Sequence, residues 1–141
     1  MKRIILTILL VGLPLTSFSQ ENVLQYSARE IKCMGEAIYF ESRGQPQKGM
    51  IAVAHVTKNR LESDEFDSDN VCGIVYQKGQ YSWTKKRNRK IMEPEQFFLA
   101  LEIAKKVLAG EIHDPTHGAL FFKRAKKVRG MKAKIGDHVF Y

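Results

Sequence analysis

At 141 residues the chain suits one domain of ordinary size and leaves no room for a multidomain machine. Two cysteines exclude a disulfide-dense scaffold, and beyond Leu15 no apolar run approaches the ~20 residues of a bilayer span. With 23 Lys and Arg against 15 Asp and Glu the formal charge is +8, which favours anionic partners over cationic ones.

The chain opens on "MKRIILTILLVGLPLTSFSQ", with a basic start at Lys2 and Arg3, an apolar run from Ile4 to Leu15, and small residues at Ser17 and Ser19. That layout predicts a secretory signal over residues 1–19, cleaved after Ser19, followed by one domain over 20–141. The run is too short for a membrane anchor and Pro14 interrupts it, so no stable membrane insertion is expected after cleavage. The expected product is an exported monomer, in a periplasm or secreted. Removing the leader takes two basic residues and no acidic ones, which lowers the charge from +8 to +6.

Ser27 and Glu30 have the spacing of a capping box and predict a helix start; Gly44 and Pro46 predict its end. "GMIAVAHVTKNRLES" is apolar almost all round from Met50 to Val56, as in a centrally buried helix. Asp69 is placed to cap a short helical piece through "NVCGIVYQ". "KGQYSWTKKRNRK" has no clean period and reads as a loop or irregular hairpin. Pro94 and Gly110 bracket a third long helix with a stripe of Phe97, Leu101, Ala104 and Leu108. "GALFFK" and "HVFY" read as short strands on either side of a basic loop. The sum is an α+β fold, mainly helical, with a small β element. Cys33 and Cys72 fit either a disulfide or two buried thiols, and spacing does not choose between them.

Two glutamates, Glu36 and Glu41, share the first helix. Side chains at i, i+3, i+4 and i+7 lie on one face. Counting back from Glu41 gives Ile38, Ala37 and Met34, so Glu41 ends the inward apolar stripe. Glu36 falls with Lys32 and Arg43 on the charged face, where a pair with Lys32 is expected. The helix C-terminus and an apolar wall both favour the protonated form of a carboxyl, which is what a general acid near neutral pH requires. The other outcome of the same pattern is a glutamate reaching past the helix end into water.

The motifs Tyr39–Glu41–Arg43–Gly44, Ala52 to Arg60, Val71 to Gln77, Gln80 to Trp83 and Ile135 to Tyr141 occur in that order. Together they resemble the cell wall hydrolase family of the spore-cortex-lytic (SleB/CwlJ) type, from about Cys33 to Tyr141. The resemblance implies a lysozyme-like, lytic-transglycosylase-like domain that cleaves the glycan strand of peptidoglycan. It also implies that Glu41 is the catalytic acid. The chain departs from the family pattern at Gln45, where a second glutamate is common, and at Leu120–Lys123, where two histidines are lost.

Sugar rings bind to flat apolar platforms with amide or hydroxyl partners. On the resemblance, Tyr39, Tyr76, Gln77, Gln80, Tyr81, Ser82 and Trp83 are the expected substrate contacts; Tyr81 and Trp83 also suit core anchors. The expected partner is peptidoglycan, an anionic glycan polymer, rather than nucleic acid. Neither a cofactor nor a metal is expected. No convincing second carboxylate accompanies Glu41, which favours lytic transglycosylation over hydrolysis by water. Asn59 and Arg60 are expected to tie helix to loop. Three rival readings remain open. One is a zinc amidase or peptidase on His113 and His117. Another is a cysteine enzyme on Cys33 with His55. The third is a non-catalytic basic protein that binds wall polymers or nucleic acid.

Overall fold

The computed structural model describes residues 25–141. The segment read as a signal, 1–19, lies outside the described residues. Among the described residues the α-helices run α1 Ala28–Ser42, α2 Gln47–Leu61, α3 Val71–Tyr76 and α4 Pro94–Leu108. Among the described residues a 3-10 turn covers Ser82–Lys85. Three strands follow, β1 Phe122–Arg124, β2 Ala133–Ile135 and β3 His138–Phe140. Among the described residues no helix is long and apolar enough to cross a membrane.

The capping box forms as expected. The Ser27 side chain accepts the Glu30 amide at 3.2 Å, and the Glu30 carboxylate accepts the Ser27 amide at 3.0 Å. A cap of this kind stabilises a helix by about 1 kcal/mol. Gly44 ends the segment with a φ of 81°, a conformation that only glycine adopts freely. At α3 the cap is Asn70 rather than Asp69: its side chain accepts the Gly73 amide at 2.9 Å. Asp69 sits one residue too early to reach that amide, and its carboxylate instead accepts from the Asn70 side chain.

α1 packs on α2, α3 and α4 around a core of Met34, Ile38, Tyr39, Val71, Val75, Ile103 and Val107. Gly35 permits the close approach of α1 to α4, since a methyl group there would lie 2.7 Å from Leu101 Cδ2 and 3.6 Å from Leu101 Cα. Ala100, Ile103, Ala104, Val107 and Leu108 face the core, while Phe97 and Leu101 are half-buried. The inward stripe is therefore centred about one position away from the expected one. Cys33 and Cys72 form a disulfide with a Cα–Cα distance of 5.2 Å, tying α1 to α3.

The sheet has the order β1-β3-β2, antiparallel throughout, with Phe122 opposite Phe140 and Ile135 opposite His138. β3 is buried along its length, and Phe140 and Ile135 pack with Ala119 on Ala52 and Val56 of α2. This is a second, smaller core. β2 lies inside what reads as a basic loop, because Lys134 interrupts an otherwise apolar triplet. The expected strand "GALFFK" contracts to Phe122–Arg124, and its earlier residues reach the chain end through Leu120 and Phe121 amides that donate to the Tyr141 carbonyl.

Candidate active site

Glu41 lies in the last turn of α1 and is half-buried. It opens on a cleft of about 420 Å³ between the end of α1, the 3-10 turn and the sheet. The lining is Phe40, Glu41 and Arg43; Ser82, Trp83 and Lys86; and Phe122, Lys123, Arg124 and His138. Burial pushes the Glu41 carboxyl above the ordinary carboxylate range. The Trp83 indole N–H and the Arg60 charge pull it back without overcoming burial. The Trp83 Nε1–H completes no hydrogen bond among the described residues and is buried, so it is an unspent donor beside the carboxyl.

An aromatic column forms the floor. Trp83 stacks on Phe40 with centroids 4.8 Å apart and on Tyr81 at 5.9 Å; Tyr76 meets its edge at 5.8 Å. Trp83 is only 6% exposed yet borders the cleft, so it is both core anchor and wall. Tyr81 sits behind it, fully in the core, with its hydroxyl 3.5 Å from Thr57 Oγ1. Of the expected contacts, Ser82 and Trp83 reach the cleft.

The remaining ones are placed elsewhere. Tyr39 is 1% exposed, and its hydroxyl donates to Glu93 at 2.7 Å while accepting the Met92 and Glu93 amides at 3.1 and 3.2 Å. It anchors the approach to α4 rather than the cleft, because its position on α1 falls on the face turned to α4. Tyr76 lies beyond Trp83, with its hydroxyl donating to Glu36 and Arg89 over its ring at 5.4 Å. Burial and the Glu36 carboxylate push the Tyr76 hydroxyl up to about 12. Glu36 thus holds Tyr76 rather than Lys32. Gln77 and Gln80 make the turn that leads into the 3-10 segment, with the Gln80 amide donating to the Gln77 carbonyl at 3.1 Å.

The tie between α2 and the following loops is as expected. Asn59 donates to Asp114 at 3.0 Å and to the Ala119 carbonyl at 3.1 Å; Arg60 Nε donates to the Leu120 carbonyl at 2.7 Å. Arg60 is buried beneath the cleft against the rings of Phe66, Tyr81 and Phe121, and its Nη1 has no partner among the described residues. Gln45 is a latch. Its Nε2 donates to Asp137 at 3.1 Å and its Oε1 accepts the Asp137 amide at 3.0 Å.

Sequence reasoning assigned no role to His138, Phe122 or Phe40, which line the cleft; Lys86, Lys123 and Arg124, which line it too, belong to basic runs that suit an anionic polymer. His138 is 3% exposed and its Nδ1 has no partner among the described residues. Burial lowers its pKa, repulsion from Arg124 lowers it further, and Asp137 opposes them, so the ring is neutral at pH 7. Its motif context marked it, but nothing in a short strand says which face it takes. The rival nucleophile Cys33 is consumed by its disulfide. His113 and His117 are exposed on the turn capped by Asp114, outside the cleft lining.

A family model described as Cell Wall Hydrolase matches residues 44–141, beginning just after Glu41. The chain is 31% identical over 124 residues to a spore cortex-lytic enzyme of Bacillus cereus, and 28% identical over 125 residues to one of Bacillus subtilis. Each alignment covers 82% of this chain, against 45% and 38% of the relative. The chain therefore spans less than half the length of these curated relatives. Among solved structures, the catalytic domain of the Bacillus cereus SleB protein matches with a TM-score of 0.66 at 28% identity, covering 87% of this chain and 98% of that domain. The catalytic domain of SleB from Bacillus anthracis, titled a germination-specific lytic transglycosylase, matches at 0.64 and 27%, covering 83% and 97%. The fold is of the lysozyme-like kind expected, mainly helical with a small sheet.

Proposed function

The chain belongs to the cell wall hydrolase family, and from that premise we propose that it is an exported enzyme that cleaves the glycan strand of peptidoglycan with Glu41 as its acid. The observation that carries this reading is a carboxyl held towards its protonated form by burial, at the edge of an open cleft. Among the described residues Glu41 is the only acidic one in that lining.

A lone acid suits lytic transglycosylation. Protonated Glu41 gives its proton to the glycosidic oxygen as the bond from C1 to that oxygen breaks. The C6 hydroxyl of the muramic residue then attacks C1, and the carboxylate of Glu41 takes the hydroxyl proton. A 1,6-anhydro end forms and the acid is regenerated with no water consumed. While Glu41 is charged, the unspent Trp83 N–H and the Arg60 guanidinium stabilise it, so the influences that lower its pKa at rest act in the intermediate. Phe40, Trp83 and Phe122 supply apolar wall for the sugar faces, and neutral His138 can hydrogen-bond a sugar hydroxyl.

The test is release of soluble muropeptides from purified sacculi. Glu41→Gln, which keeps shape and loses the proton, should lower the rate by at least about a hundredfold. Glu36→Gln, which retains an acceptor for Tyr76, should keep most of it. Equal rates for wild type and Glu41→Gln would refute the assignment. Mass spectrometry of the products then separates anhydro ends from reducing ends, which differ by one water.

A further inference from the structure

The cleft carries more positive charge than a neutral sugar chain calls for. Lys86 borders it on the 3-10 side, Lys123 and Arg124 on the sheet side, and Arg43 beside α1. Arg43 is engaged with Glu93 at 3.1 Å. Lys86, Lys123 and Arg124 are exposed, and none of the ion pairs found among the described residues includes them. Two of the three sit on β1, with Lys123 opposite Val139 and Arg124 opposite His138, so the sheet fixes their backbone relative to the cleft. Unmatched like charges around a concavity raise its potential and draw anions into it.

A glycan strand brings anions of its own. Its muramic residues carry short peptides whose free carboxylates project to the sides of the chain. With a sugar–sugar bond at Glu41 and the rings against Phe40, Trp83 and Phe122, those peptides leave the strand towards the rims. We infer that Lys86, Lys123 and Arg124 recognise the carboxylates of these stem peptides, which makes peptide-bearing glycan the preferred substrate class. The inference rests on the glycan-cleavage reading above. A phosphate polymer binding by charge alone would have no use for an aromatic floor or for cations gathered around the acid.

The experiment compares intact sacculi with sacculi whose peptide carboxylates have been amidated by carbodiimide and ammonia, so that glycan and peptides are kept and only charge is lost. Native sacculi should be cut with a kcat/KM about tenfold higher at low salt, and the gap should close near 1 M salt, where the screening length is about 3 Å. The triple variant Lys86→Gln, Lys123→Gln, Arg124→Gln should bring the ratio close to one. A control of equal charge change outside the cleft, Lys32→Gln, Lys48→Gln, Lys78→Gln, should leave the ratio standing. Thermal melts show that each variant is folded. Equal cutting of both sacculi by wild type overturns the inference while leaving glycan cleavage intact, and so does a control that flattens the ratio as much as the cleft variant. Inhibition of cutting by an added glycerol phosphate polymer, with native and amidated sacculi cut equally, would move the site to wall phosphates and overturn it too. Failure to cut either substrate would instead strike the glycan reading, and this inference with it.

Discussion

Glu41 gathers three influences on one carboxyl: burial that favours the neutral form, and Trp83 and Arg60, which favour the charged one. Burial wins, so the folded chain keeps a proton that the unfolded chain sheds at the ordinary carboxyl value. Stability must then fall as pH rises from that value through the raised one. Glu41→Gln removes the effect. It should melt at a higher temperature than wild type at neutral pH and at the same temperature below about pH 4, as measured by thermal unfolding across pH. If Glu41 is the acid as proposed, the cleavage rate should decline on the alkaline side of the same raised value. Helix periodicity alone picked out this residue, because its neighbours Ala37, Ile38 and Met34 are all in the core. The same arithmetic could not tell that Tyr39 turns to α4. The partners that capture its hydroxyl, Glu93 and the Met92 amide, lie more than fifty positions along the chain.

Among the elements, the turn after α4 does more than reverse the chain. Asp114 accepts from Asn59, from the Thr116 hydroxyl and amide at 2.7 Å, and from the Gly118 amide at 2.9 Å. Burial pushes this carboxyl up, but the bonds together outweigh it and hold it down to about 2. A carboxyl depressed in the fold stabilises above its ordinary value, and the contribution disappears as pH falls towards 2. Asp114→Asn should therefore cost on the order of 2 kcal/mol at neutral pH and flatten the acid side of a urea stability curve, with the two proteins converging near pH 2. The helices were legible because caps and apolar stripes are local. The sheet was legible only in part. β2 has three residues, and its pairing with β3 is a tertiary event that no short-range pattern announces.

At the scale of the molecule, the cleft lies where the helical core meets the core of α2 and sheet, so its walls come from α1, the 3-10 turn, β1 and β3. That explains why most of its lining went unassigned. Apart from Tyr39, the expected contacts were gathered from one contiguous stretch, whereas four separate elements line the cleft. The Gln45–Asp137 latch spans the same junction, joining the turn after α1 to the turn between β2 and β3. Gly136 leaves room for it, since a methyl group there would come within 2.3 Å of the Gln45 oxygen.

The bridge between Cys33 and Cys72 closes a sequence separation of 39 residues on the very helix that ends in Glu41. Cross-linking so long a loop stabilises by about 4 kcal/mol on chain-entropy grounds. Reductant, or Cys33→Ser with Cys72→Ser, should lower the melting temperature and speed proteolysis, while the oxidised chain resists both. Such a chain is frailest where thiols keep it reduced and sturdiest where the bridge is oxidised. On the proposed export and glycan cleavage, a cell making such a tool is thereby shielded from it until the blade has left the workshop.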